Sequence, residues 1–61
     1  MTFREVDKLL RDNGWYQVRK KGSHVHYQHK DYPNTVTVPD HGNTDIKKGT
    51  LNSILKQAGL K

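Results

Sequence analysis

Gly22-Ser23-His24 follows directly on the basic run Arg19-Lys20-Lys21, and this juxtaposition is the strongest chemical signal in the chain. Histidine as a residue type titrates near neutrality, so it can both take and give a proton under ordinary conditions. The glycine ahead of it permits a tight turn, and three neighbouring cations can stand against a phosphate. The set suits acid–base chemistry on a phosphodiester. The alternative is an ordinary strand-end imidazole that hydrogen-bonds its own turn, and residue types alone do not separate the two.

A second basic cluster opens a helical pattern further on. Lys47 and Lys48 fall where the helix macrodipole already presents positive partial charge, an unfavourable place for lysine unless an anion binds there. Gly49 allows a close backbone approach and Thr50 adds a hydroxyl donor, so the segment reads as a phosphate cradle at a helix start. Two solvated lysines beside a ragged helix start are the plainer alternative. Four imidazoles, His24, His26, His29 and His41, raise the question of a metal. Closed zinc sites normally draw on cysteine, and strand alternation turns His29 away from His24 and His26. No carboxylate pair is spaced for magnesium, so neither a metal nor a cofactor is expected. Of the rings able to stack on a base, Trp15, Tyr16, Tyr27 and Tyr32, the first and third suit the core. Tyr32, beside Pro33, is the best exposed candidate.

The chain has 61 residues, 31% of them hydrophobic, and no cysteine. A domain of this size buries only about 60% of the surface its unfolded chain exposes. One domain, residues 1–61, is therefore expected, with a thin two-layer core, no enclosed cofactor pocket, and stability that a partner would improve. Eleven lysines and arginines against six acids give a net charge of +5 and a pI near 9.8. That balance favours an anionic partner, nucleic acid or acidic protein, over a neutral one. No apolar run reaches signal-peptide or membrane-spanning length, which predicts a cytoplasmic protein with no membrane partner.

The elements that position these residues follow from periodicity. Thr2 and Glu5 have capping-box spacing, Phe3, Val6, Leu9 and Leu10 recur on one helical face, and Asn13-Gly14 is a stop, so a helix is predicted over roughly 3–13. Asp7 and Arg11 can pair one turn apart. Trp15–Lys20 reads as a strand, Lys21-Gly22-Ser23 as a turn, His24–His29 as a second strand, and Lys30–Asn34 as a loop punctuated by Pro33. Thr35–Val38 makes a third strand, ended by Pro39. Short connections imply an antiparallel meander. Alternation places Val25 and Tyr27 in the core and His24 and His26 on the opposite face, unless a bulge near Gly22 shifts the register. After a polar loop over Asp40–Asp45, Leu51, Ile54, Leu55 and Ala58 mark a second helix, with Gly59 as its stop and Leu60 folding back on Leu55. The predicted fold is α+β, in the order α-β-β-β-α, with both helices on one face of a three-stranded antiparallel sheet and the other face open.

Lys21-Gly22-Ser23-His24, Tyr27-Gln28-His29, the run Val36 to Gly42 and the run Lys48 to Leu60, in this order, resemble the HicA toxins of bacterial and archaeal toxin–antitoxin systems. The resemblance covers the chain from the first helix to the last turn, and the ordered set is specific although each motif alone is weak. It implies a double-stranded-RNA-binding-domain-like fold and an mRNA interferase: a ribonuclease that cleaves transcripts, inhibits growth, and is neutralised by a HicB-type antitoxin covering its active site. It also implies that the active-site histidine of the Gly-Ser-His motif is His24. Two positions depart from the family pattern. Val25 stands where such proteins often have a polar residue, and His26 where they often have a larger apolar one.

Metal-independent RNA cleavage requires a proton taken from the 2′-hydroxyl, a proton given to the departing 5′-oxygen, and a stabilised phosphorane. His24 can do one transfer, with Arg19, Lys20 or Lys21 neutralising the phosphate; His26 and His41 are candidates for the other, and a slow enzyme relying on one histidine is the alternative. The expected RNA-binding residues are Arg19, Lys20, Lys21, Gly22, Ser23, Lys47, Lys48 and Thr50. Two other readings compete: a non-catalytic module that grips double-stranded RNA, and a basic domain that only binds an acidic protein. Catalysis needs His24, whereas binding needs only the cations.

Overall fold

Helix α1 (Phe3–Asp12) forms where the sequence places apolar residues on one face, and it buries Val6 and Leu10 completely. The Glu5 carboxylate accepts from the backbone N–H and the hydroxyl of Thr2 at 3.0 and 3.2 Å. Those bonds hold the Glu5 carboxyl below the usual range and fix the helix start. At the other end Gly14 takes φ +91°. The Gly14 N–H donates to the Arg11 carbonyl and the Trp15 N–H to that of Leu10, the paired bonds of a Schellman cap. The chain is described over all 61 residues by a computed structural model.

Three antiparallel strands follow, β1 (Tyr16–Lys21), β2 (His24–His29) and β3 (Tyr32–Pro39), in the spatial order β1-β2-β3. The first connection is tighter than the sequence suggested. Lys21 pairs with His24, so the turn is only Gly22-Ser23, and Gly22 supplies the positive φ of +59° that a two-residue hairpin with glycine first requires. The third strand starts earlier than expected, because Tyr32, Pro33 and Asn34 belong to it rather than to a loop. Pairing passes from His29↔Tyr32 to Tyr27↔Val36 with an irregularity between. Pro33 lies inside it on an edge strand, where no ladder donor is needed.

A further irregularity decides which side chains share a face. Gln17 pairs with Tyr27 and Arg19 with His26, so Val18 is an extra residue in β1. The bulge is here and not near Gly22. It resets the alternation: Gln17 and Lys20 lie toward the helices, whereas Tyr16, Arg19 and Lys21 lie on the open side with Gln28, His26 and His24, since directly paired residues share a face.

Helix α2 (Lys48–Gln57) repeats the device of α1, with Gly59 at φ +72°, its N–H on the Lys56 carbonyl and the Leu60 N–H on that of Leu55. Both helices cover one face of the sheet. The core consists of Val6, Leu10, Trp15, Val25, Tyr27, Val36, Val38, Ile46, Ile54 and Ala58, a thin apolar layer as expected. Ile46 adds an anchor within a connection that otherwise reads as polar. No helix is long and apolar enough to cross a membrane.

Candidate active site

Val25 and Tyr27 are buried while His24 is exposed, so β2 presents His24, His26 and Gln28 to the open face as alternation predicts. Across from His24 stand Lys21 on β1 and Pro39 on β3; across from His26 stand Arg19 and Thr37. The Thr37 hydroxyl and the His26 Nδ1 are hydrogen-bonded at 3.0 Å, which tethers that ring toward β3. No strand and no part of α2 contains an acidic residue. The open face therefore offers two imidazoles, each across from a cation, in alternate register positions, and no carboxylate on any strand.

Lys20, a candidate for the phosphate, is placed elsewhere. It points to the helix side, and its Nζ donates to the Asp40 Oδ2 at 3.1 Å. Asp40 also accepts from the Gly42 N–H at 3.2 Å through its other oxygen. The Gly42 bond first, and then Lys20, hold the Asp40 carboxyl below its ordinary range. The Asp40 N–H in turn donates to the Ser23 carbonyl at 2.6 Å. This one residue thus ties the Gly22-Ser23 turn to the exit of β3 and to the loop beyond it. Sequence reasoning did not single Asp40 out, although Asp two positions before Gly after a proline is a recognisable Asx-turn signal.

That latch brings the second basic cluster to the same end of the domain. Pro39, the β3 partner of His24, lines a hollow together with His41, Thr44, Asp45, Ile46, Lys47 and Thr50, so this basic cluster has one carboxylate beside it. Lys47 is the N-cap residue of α2 and has no side-chain cap bond. Lys48 is exposed at the first turn but does not line the hollow. A Cβ on Gly22 would meet nothing within 4 Å, so the backbone before His24 is open to a ligand.

The other histidines separate by role. His29 is packed away at the opposite end, against Trp15 and Tyr32 with ring centroids 5.2 and 4.8 Å distant. Its Nε2 donates to the Asn13 carbonyl at 2.9 Å and its Nδ1 accepts from the Asp31 N–H at 3.0 Å, so it locks the aromatic corner. Tyr32, the expected stacking candidate, is committed to that corner. No three His, Asp or Glu side chains come together in a way that could hold a metal ion.

The family model described as HicA toxin of bacterial toxin-antitoxin matches residues 3–60. No curated protein matches the chain. A solved structure described as a toxin–antitoxin complex from Streptococcus pneumoniae contains a chain similar to this one, at 36% identity and a TM-score of 0.84, with 98% of each chain covered. The family model spans all but three residues of the chain and the solved chain shares its fold over nearly its whole length, and the chain belongs to the HicA toxin family of bacterial toxin–antitoxin systems.

Proposed function

We propose that this toxin is a metal-independent RNA endonuclease with His24 as its catalytic residue, and that a HicB-type antitoxin neutralises it by covering that residue. Acting on mRNA, it would work in the cytoplasm. One observation carries the reading: an exposed His24 directly across from Lys21, two register positions from Arg19 on the same face, with no carboxylate on any strand.

RNA brings its own nucleophile, so the protein need only move protons and stabilise charge. The 2′-oxygen gives up its proton and forms a bond to phosphorus, the bond from phosphorus to the 5′-oxygen breaks, and that oxygen takes a proton. The products are a 2′,3′-cyclic phosphate and a 5′-hydroxyl. His24 performs one transfer, while Lys21 and Arg19 stabilise the doubly charged phosphorane. His26, tethered to Thr37 on the same face, and His41, at the hollow beyond Pro39, are the candidates for the second transfer. Lys47, Lys48 and Thr50 hold flanking phosphates, with Gly22 and Ser23 letting the backbone close on the scissile one.

The test is His24→Ala in purified protein. Cleavage of a synthetic RNA falls on the order of 10²–10⁴-fold with the thermal midpoint retained, EDTA leaves the wild type unaffected, and end-group analysis finds the cyclic phosphate. RNA binding survives, because the cations remain. A folded His24→Ala protein with full cleavage overturns the assignment. Binding without any cleavage by the wild type supports the non-catalytic RNA-binding module instead.

A further inference from the structure

The open face extends well beyond His24. Three cross-strand rows cross it: Lys21, His24 and Pro39; then Arg19, His26 and Thr37; then Tyr16 and Gln28. The first two rows carry cations and imidazoles. The third offers instead a flat phenol ring and a carboxamide. Tyr16 is 49% exposed, more than any other phenylalanine, tyrosine or tryptophan of the chain. The core does not need it, since its neighbour Gln17 makes the inward contacts, donating to Asp7 and to the Tyr27 hydroxyl. Tyr32 contrasts with it, because its ring leans on His29 and Trp15 and its hydroxyl lies where a Gly59 side chain would be.

We propose that Tyr16 and Gln28 form a nucleobase subsite for an unpaired RNA strand whose scissile phosphate lies at His24, an inference that rests on the ribonuclease reading above. An aromatic ring stacks on any base, and the Gln28 amide offers both a donor and an acceptor to a base edge. His24 and Gln28 are four residues apart on one strand, about 13 Å, a span of at most about four nucleotides of stacked strand. Arg19 lies between them and meets an intervening phosphate. The lack of acidic residues on all three strands makes the whole path attractive to a polyanion. A base inside a duplex has both faces already stacked and cannot give one to Tyr16. The subsite therefore selects single strands.

The test uses His24→Ala protein, so that binding is read without cleavage, and a short labelled RNA with one abasic residue stepped along it. One abasic position weakens binding on the order of tenfold, as loss of a base stack does. Adding Tyr16→Ala weakens the intact RNA by the same factor and removes the abasic effect, whereas Tyr16→Phe keeps both. The fully paired duplex binds more weakly than the single strand. Gln28→Ala, with Tyr16 intact, loses preference among bases at that position and serves if Tyr16→Ala does not fold. A folded Tyr16→Ala variant that binds as tightly, or still senses the abasic position, overturns the subsite. So does a Tyr16→Ala variant whose sole defect is in antitoxin binding. Absence of cleavage by the wild type would defeat the ribonuclease reading alone, because this series reads affinity.

Discussion

Gln17 and Arg19 pair with consecutive residues of β2, Tyr27 and His26, leaving Val18 between them without a partner. From that single extra residue follows the division of the basic run. Arg19 and Lys21 join His24 on the open face, while Lys20 turns under the sheet to Asp40.

The division predicts unequal effects from two adjacent lysines. Lys21→Gln lowers single-turnover cleavage roughly tenfold or more, since it removes charge facing the phosphorane. Lys20→Gln leaves the chemistry nearly unchanged and costs under about 1 kcal/mol of stability, as expected for a largely exposed ion pair. Cleavage and urea unfolding measured on both variants check this; equal losses of activity would contradict the register.

Beneath the sheet, the Tyr27 hydroxyl donates to Asp7 Oδ1 at 2.6 Å, with Arg11 and Gln17 donating to the same carboxylate. Desolvation alone would raise the Asp7 pKa, but these hydrogen bonds, that from Tyr27 foremost, outweigh it and lower the pKa. Burial, and then the bond to Asp7, push the Tyr27 hydroxyl upward. A carboxyl depressed in the folded state contributes stability above its unfolded value, about pH 4, and that stability drains away as pH falls through the folded value. Tyr27→Phe is expected to cost roughly 1–2 kcal/mol at neutral pH and to flatten this acid limb. Urea midpoints across an acid series are the measurement, and an unaltered limb would show that Asp7 does not depend on Tyr27.

Two glycines with positive φ separate a packing role from a backbone role. A Cβ on Gly14 would lie 2.6 Å from the His29 Nε2, whereas one on Gly22 meets nothing within 4 Å. Gly22→Ala is expected to lose about 1–2 kcal/mol, the left-handed backbone term alone. Gly14→Ala loses clearly more, because it also displaces the ring bonded to Asn13. Thermal midpoints decide between them, at about 4–8 °C per kcal/mol in a domain of this size.

The antitoxin reading also has a kinetic signature. A partner that covers His24 meets a face with Arg19 and Lys21 and no acidic residue on any strand, so association should slow as salt rises, and the complex should melt above the free toxin. Stopped-flow association across a salt series, together with footprinting of β2, tests both. Salt-independent association with His24 still accessible would point to inhibition from the helical face.

The order of elements was legible because each rests on local patterns. Val6 and Leu10, Val25 and Tyr27, and Val36 and Val38 repeat at the helix or strand period, and Gly14 and Gly59 stop both helices. His24 and His26 were placed on the open face from alternation within β2 alone. The face of Lys20 was not legible, because a bulge depends on pairing between strands and leaves no mark in β1 itself. Tyr32-Pro33-Asn34 read as a loop for a related reason: proline and asparagine signal a break, but an edge strand with an irregular pairing tolerates them. Tyr16 was undervalued beside Tyr32 because exposure at an aromatic depends on which ring the His29 corner recruits. The role of Asp40 required seeing Ser23 and Lys20 brought to it from other elements.

Gly14 and Gly59 each close a helix, and each leaves the space where a side chain would stand to another residue's polar atom, the His29 Nε2 at 2.6 Å and the Tyr32 hydroxyl at 2.8 Å. In a gene whose product harms its own host, survivors are the cells that have broken it. Most single-base changes in a glycine codon install a side chain, so these two codons are targets for inactivation by misfolding, while nearly every single-base change in the codon of His24 replaces the imidazole and inactivates without misfolding. Missense escape under unneutralised expression is thus expected to fall into two groups at opposite ends of the domain, one of degraded protein and one of intact, inert protein that still binds its antitoxin.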